Sequence, residues 1–512
     1  MSRRKAGAPS PDAELGVDHL IHDVGRRSRR GGVILLSTQV LRALGQIGTL
    51  AVLARLLPPS AFGLLAMVAA VGILLDLVKE FGLSAATIQK PDITQAQVSA
   101  LFWINAVIGA GLGAGLFLAA PLLAAFYGQP ELAPVTRWMA LAFVASGLTV
   151  QHWALLRRQM RFTAIATLET SADFASFATG IGLVLAGAGY WALVAQRLLA
   201  PLFLLVGSWL SCRWRPTSPA RTPGLGALVR YGASVTVSGL AVAFSRSIDQ
   251  ILIGWMWGPV LLGLYERTTR LLMMPINTIN APVYAAAMPA LSRLTDQPDR
   301  YRALCGQVLQ KVGLLTMPAF ALAAVTADWV VEILFGPSWR QAVPLVALFS
   351  LAAMALPVLQ AVGLLYMTHS RMTEMVRANL IDSGLCVLSI LAGLRWGVVG
   401  VAASLAVTVL VIRLPLAFWF ATRRGPVSMG MLWRAIAPPA SAAIAVALSV
   451  GVLRRFEVQA TLPALASAAA LALSVCVCVL ALWPETRREL RQLLDRRTVP
   501  VPERPSATKV IS

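Results

Sequence analysis

The chain has 512 residues, of which 57% are hydrophobic and 13% charged, and its formal net charge is +21. A water-soluble globular domain is excluded, because such domains carry a smaller apolar share and about 25% charged residues. The basic residues are spread over many short polar stretches rather than gathered on one face, which fits membrane topology and contact with anionic membrane lipids and leaves no role for nucleic acid.

Apolar runs long enough to cross a hydrocarbon core of roughly 30 Å recur from end to end. Fourteen spans are expected, at 33–56, 61–81, 98–126, 132–155, 164–186, 190–211, 229–257, 261–288, 304–327, 342–367, 376–394, 398–421, 436–452 and 462–482. Lys and Arg concentrate in alternate short loops, and an even number of spans puts both termini in the cytoplasm. Residues 1–30 read as a basic cytoplasmic tail with a mildly amphipathic stretch at 15–24. This is not a cleaved signal peptide, since the first apolar run begins near Val33 and lacks a small-residue cleavage site.

The first span carries Gln39, Arg42 and Gln46 along one side, and no acidic residue lies three or four positions from Arg42. The second ends in Asp76, Lys79 and Glu80, which either reach water or close an inner gate. In the third, Gly109, Gly111, Gly113 and Gly115 form overlapping small-xxx-small patterns for close helix packing. The fifth holds Glu169 and Asp173. A carboxylate at membrane depth is either a proton or cation site or one half of an ion pair, and Arg197 on the next span is the expected partner. Residues 213–227, rich in Arg, Pro, Ser and Thr, read as a linker.

The chain beyond the linker resembles a second copy: Pro59, Gly63 and Leu64 match Pro259, Gly263 and Leu264. Parallel repeats of this kind occur in transporters with a two-fold axis along the membrane normal. Two apolar helices are expected to meet at Gly258-Pro259, with Arg246, Asp249, Glu266, Arg267 and Arg270 well inside them. Each such charge costs about 2.5–3.5 kcal/mol at the bilayer centre, so the group is expected to face a polar interior. Pro275, Pro282 and Pro289 kink one stripe of the second helix. Residues 328–339 look like a short outer-surface segment with aromatic anchors; Asp382 is buried in the eleventh span, and Arg413 in the twelfth is expected to snorkel inward. The five Cys read as buried small apolar residues, and the four His are scattered, so neither a metal site nor a cofactor is expected.

Several of these stretches together resemble the bacterial polysaccharide-repeat-unit flippases, the polysaccharide transporter branch of the MOP superfamily. They are Asp249-x-x-Leu252-Ile253-Gly254, Gly258, Leu262-Gly263-Leu264-Tyr265, Pro275, Pro289 to Arg293, Arg55 to Gly63, Gly82 to Gln89 and Phe335-Gly336-Pro337-x-Trp339. The resemblance implies an all-α integral membrane fold of about fourteen helices in two pseudo-symmetric six-helix lobes plus two appended helices. The expected division is a tail at 1–30, an N-lobe at 31–212, a linker at 213–227, a C-lobe at 228–424, the last two helices at 425–483 and a second basic tail at 484–512. It implies translocation of undecaprenyl-diphosphate-linked oligosaccharide across the inner membrane through a cationic cleft, with a polymerase and a chain-length regulator as partners.

The charges sharpen that expectation. Arg246 with Asp249, and Glu266 with Arg270, are spaced to neutralise each other along a helix, which leaves Arg42 and Arg267 without an acidic partner on their own helical face. A guanidinium binds phosphate oxygens in a fork. Arg42 and Arg267 are therefore expected to hold the diphosphate, with Arg246 and Arg270 as secondary contacts, against the alternative that they pair across helices for structure alone. Asp173, Asp249 and Asp382 are the residues expected to couple an ion or proton gradient, as no phosphate-binding glycine loop for ATP is present. Two other classes remain: an ion-coupled multidrug antiporter on the same scaffold, and a membrane-bound polymerase or glycosyltransferase, which the lack of an acid–base cluster in the outer loops disfavours.

Overall fold

The computed structural model describes residues 24–80, 83–90, 92–218, 225–456 and 460–483. Residues 1–23, with all but the end of the amphipathic stretch at 15–24, residues 484–512 and the side chains of Gln39 and Arg246 lie outside the described residues, while the first helix already begins at Val24, inside the stretch expected as a basic tail. Regular structure among the described residues is helical throughout. The first seven helices are α1 (Val24–Leu56), α2 (Pro59–Glu80), α3 (Leu83–Gln89), α4 (Gln95–Tyr127), α5 (Leu132–Arg158), α6 (Phe162–Leu185) and α7 (Trp191–Ser211). Next come α8 (Leu225–Ser292), α9 (Pro298–Val325), α10 (Ala327–Leu334), α11 (Val343–Thr368) and α12 (Met372–Gly393). The chain continues through α13 (Gly397–Val407), a π-helical turn at Thr408–Arg413, α14 (Leu414–Thr422), α15 (Met429–Leu453) and α16 (Leu462–Leu482). Among the described residues ten stretches are long and apolar enough to cross a membrane; the one of 51 residues contains two of the expected runs, and the one of 46 residues, Ser247–Ser292, contains the run at 261–288 and the end of that at 229–257. The runs at 33–56 and 164–186 are helical but stand outside those ten, and they bear Arg42 and its two carboxylate partners.

The 68-residue α8 shows how the two runs around Gly258 are arranged. A straight helix of that length would measure about 100 Å, some three times the hydrocarbon thickness. It is not straight. Gly258 has φ 75° and ψ −172°, a left-handed conformation that suits a residue without Cβ. The Tyr265 hydroxyl donates to Asp249 Oδ2 at 2.7 Å across a separation of 16 residues. In a continuous helix these residues would lie about 24 Å apart, so the arms 225–257 and 259–292 fold back on one another.

The matched motifs meet face to face. A Cβ on Gly63 would stand 1.7 Å from the Pro259 carbonyl oxygen, and one on Gly263 would stand 1.9 Å from the Pro59 carbonyl oxygen. Each copy of the Pro-x-x-x-Gly motif thus supplies the glycine that admits the other copy's backbone. The segment at 328–339 completes this contact, and its aromatics are not interfacial anchors as the sequence suggested. Trp329, Phe335 and Trp339 are buried. The Trp339 indole donates to the Ala54 carbonyl at 2.7 Å and meets Phe62 edge-on at 5.4 Å. Burying three aromatic rings gains more than leaving them at the lipid boundary, because the indole N–H finds a fixed acceptor. These contacts plug one end of the molecule.

Elsewhere, Gly109 and Gly113 admit α5 against α4, while Gly111 and Gly115 face open space. Arg158 donates to the carbonyls of Lys90 at 2.5 Å and Thr87 at 3.1 Å, fixing the end of α3 beneath α5. Only Cys212 and Cys305 of the five cysteines are buried; Cys386 and Cys476 are half-buried and Cys478 is exposed.

Candidate functional site

Two groups of charges sit inside the helices, one on α1 and α6 and one on α8. In the first, Arg42 Nε donates to Asp173 Oδ2 at 2.6 Å, and its Nη1 donates to Glu169 Oε2. All three side chains are partly buried. Arg42 is therefore paired across helices, and Asp173 pairs with Arg42 rather than with Arg197. The i, i+4 spacing of Glu169 and Asp173 places both carboxylates on the α6 face that meets α1, where one guanidinium spans them.

In the second group Arg267 is 7% exposed. Its Nε lies 3.0 Å from Glu266 Oε2, and its guanidinium carbon lies 4.1 Å over the Phe62 ring. Neither that Nε nor that Oε2 has a well-directed hydrogen bond among the described residues. Arg270 Nη1 approaches Glu266 Oε1 at 3.7 Å, and its side chain is 39% exposed. Glu266 is thus shared by its immediate neighbour as well as by the i+4 residue. The spacing alone had assigned it to Arg270 and left Arg267 free.

Asp382, expected as a coupling site, is held by Arg413, whose Nε and Nη2 donate at 2.6 and 2.7 Å. Arg413 does not snorkel. The π-helical turn that ends at this residue precedes α14, and the guanidinium reaches α12 instead. Asp249 accepts from Tyr265 and, at 2.8 Å, from the Gln250 N–H. It makes no ion pair among the described side chains, a set that does not contain Arg246. Near the end of α2, Asp76 and Lys79 form a 2.7 Å pair.

A cavity of about 250 Å³ opens at the end opposite the plug, lined by Lys79, Ser84, Thr149, Trp153, Arg157 and Glu169 among others. Glu169 connects its wall to the Arg42 pair. Sequence reasoning assigned Arg197 only a structural role. It is the single charge in α7, and it is exposed. A lone charge in an otherwise apolar helix was the signal that could have singled it out.

An ion-paired interior, arms folded back at a glycine and a plugged end sit in a helical fold with ten stretches among the described residues able to cross a membrane, the build of a multi-pass membrane protein. Solved structures share this architecture. One is the lipid II flippase MurJ in an inward closed conformation, with a TM-score of 0.71, 10% identity, and coverage of 90% of this chain and 100% of that one. Another is an inward-facing multidrug resistance MATE family transporter of the MOP superfamily, at 0.58 and 11% identity over 78% and 99% of the two chains. Among curated proteins, the lipopolysaccharide biosynthesis protein WzxC of Escherichia coli K12 is 24% identical over 70% of this chain and 73% of its own length. The succinoglycan biosynthesis transport protein ExoT of Rhizobium meliloti strain 1021 is 27% identical over 59% and 62%. The family model described as "Polysaccharide biosynthesis protein" matches residues 52–344. The chain belongs to that family.

Proposed function

We propose that this protein is a flippase that carries undecaprenyl-diphosphate-linked oligosaccharide repeat units from the inner to the outer leaflet of the bacterial inner membrane. The observation that carries this reading is the Glu266–Arg267–Arg270 cluster, a charged group within a helix hairpin whose hydrogen bonding is incomplete. Such charges are costly at membrane depth and mark a ligand path. Their surplus is positive, which suits an anionic head group and disfavours the cationic drugs of a multidrug antiporter. The relatives named for lipopolysaccharide and succinoglycan biosynthesis support the same cargo class.

In this reading Arg267 and Arg270 contact the diphosphate, Arg246 stands one arm away, and Arg42 reaches it only by exchanging Glu169 or Asp173 for a phosphate oxygen. Residues 31–212 and 228–424 act as two lobes that rock about the Gly63–Gly263 contact, with 425–483 appended. Both termini face the cytoplasm, so the plug closes the outer side. Asp249 is the carboxylate left for proton or ion coupling, since Asp173 and Asp382 are held by guanidinium groups. A polymerase and a chain-length regulator take the product at the outer face. Deleting the gene tests the reading: lipid-linked repeat units should accumulate on the inner leaflet, and complementation should clear them. Unchanged lipid-linked pools with normal surface polysaccharide would refute it.

A further inference from the structure

One stripe of α5 lines the cavity opposite the plug. Ser146, Thr149, Trp153 and Arg157 follow one another at spacings of three, four and four residues, which puts them in a single row along the helix. The row runs ~16 Å from a hydroxyl to a guanidinium, with an indole between them. Other faces of α5 are committed to packing: Leu155 and Leu156 are buried, and His152 stacks on Trp209 with ring centroids 4.5 Å apart. Ser84 of α3 and Glu169 of α6 face the same space.

The polar groups of this lining are incompletely used. Ser84 Oγ, Ser146 Oγ and the Arg157 guanidinium make no hydrogen bond or ion pair among the described residues. Glu169 accepts from Arg42 through Oε2 and from none of the described residues through Oε1. Thr149 donates to the Ala145 carbonyl at 2.7 Å, so its lone pairs still accept. Lys79, the remaining charge in the lining, is held by Asp76 at 2.7 Å. The cavity therefore offers a cationic donor, an anionic acceptor, hydroxyls that do both, and an apolar ring face. Glu169 disfavours a phosphate here, and the polar groups disfavour an acyl chain. A sugar ring satisfies all of them: its hydroxyls donate and accept, and its C–H face lies on an indole. The volume of about 250 Å³ equals that of roughly eight waters, room for one sugar ring and not for an oligosaccharide.

We propose that this cavity is the subsite for the hexose joined directly to the diphosphate, with the ring on Trp153 and its hydroxyls between Arg157, Thr149 and Glu169. This rests on the flippase reading above and adds to it a sugar site within residues 31–212, apart from the Glu266–Arg267–Arg270 cluster. It also joins sugar binding to Arg42. A sugar hydroxyl on Glu169 competes with the Arg42 Nη1 contact, while Nε stays on Asp173 at 2.6 Å, so Nη1 is released toward a phosphate oxygen next to the sugar.

The test uses the full chain in lipid nanodiscs, with bound lipid measured by native mass spectrometry. The probes are undecaprenyl diphosphate and its glucosyl, galactosyl and N-acetylglucosaminyl forms. The parent protein should bind at least one sugar-bearing form more tightly than the bare diphosphate. Arg157→Gln should weaken that form about tenfold, the worth of one hydrogen bond from a charged donor. Trp153→Leu should weaken it about two- to tenfold through the lost ring face. Both should narrow the preference over the bare lipid, and Arg157, being exposed, keeps the inference testable if the Trp153 variant fails to fold. Equal binding of the bare lipid and every sugar-bearing form, or a sugar preference intact in the folded variants, would overturn the subsite and leave the flippase reading standing. A parent protein that binds none of these lipids would overturn both.

Discussion

Replacing Gly63 with alanine probes the plug at its tightest point. The added Cβ would lie 1.7 Å from the Pro259 carbonyl oxygen, against the 3.4 Å at which ordinary contact begins. The neighbour is helix backbone, not the end of a flexible side chain, so α2 and the second arm of α8 must separate by well over an ångström. Overpacking of this kind costs about 1–3 kcal/mol. If the plugged state carries that cost and the open state does not, the equilibrium shifts roughly 5- to 150-fold toward opening. A reporter Leu264→Cys, placed in a background without the five native cysteines, reads the shift, since Leu264 is 1% exposed when the plug is closed. Labelling of intact cells with a membrane-impermeant maleimide should accelerate in Gly63→Ala, and surface polysaccharide should fall. Gly263→Ala should behave alike, because its Cβ meets the Pro59 carbonyl oxygen at 1.9 Å. Labelling and export equal to the parent in both variants would refute the reasoning.

Other substitutions test the remaining contacts. Trp339→Ala removes a buried ring and its bond to Ala54, and should destabilise the plugged state by about 3–5 kcal/mol, read as a lower melting temperature in detergent. Arg42→Gln strands Glu169 and Asp173 and should reduce both stability and export; adding Glu169→Gln and Asp173→Asn should restore the melting temperature, and failure to do so would show that the pairing is not what holds α1 to α6. Asp382→Asn should lower the melting temperature without altering the ion or pH dependence of transport, whereas Asp249→Asn should flatten that dependence in proteoliposomes; the reverse pattern would exchange their roles.

Local apolar runs made the helices legible, because a membrane span must satisfy its backbone within its own segment and so announces itself in a single window. The Gly258 break and the Pro-x-x-x-Gly match were legible for the same reason: both are backbone features written in Gly and Pro. Charge pairing was not. Spacing along one helix shows only i, i+3 and i+4 neighbours, and the partners of Arg42, Arg413 and Trp339 lie 127, 31 and 285 residues away. Aromatics at 328–339 were misread because a Trp at a span end has the same composition whether it anchors in lipid or seals a contact between helices.

Movement of an anionic lipid carrier is the activity on which the proposed roles of these residues depend. Purified protein in sealed liposomes with a fluorescent diphosphate-linked glycolipid, followed by quencher accessibility, measures that movement directly. The inner-leaflet probe should become accessible with the parent protein and remain protected with Arg267→Gln together with Arg270→Gln. Protection that is the same with parent protein and with empty liposomes, or movement that survives the loss of both arginines, would contradict the account.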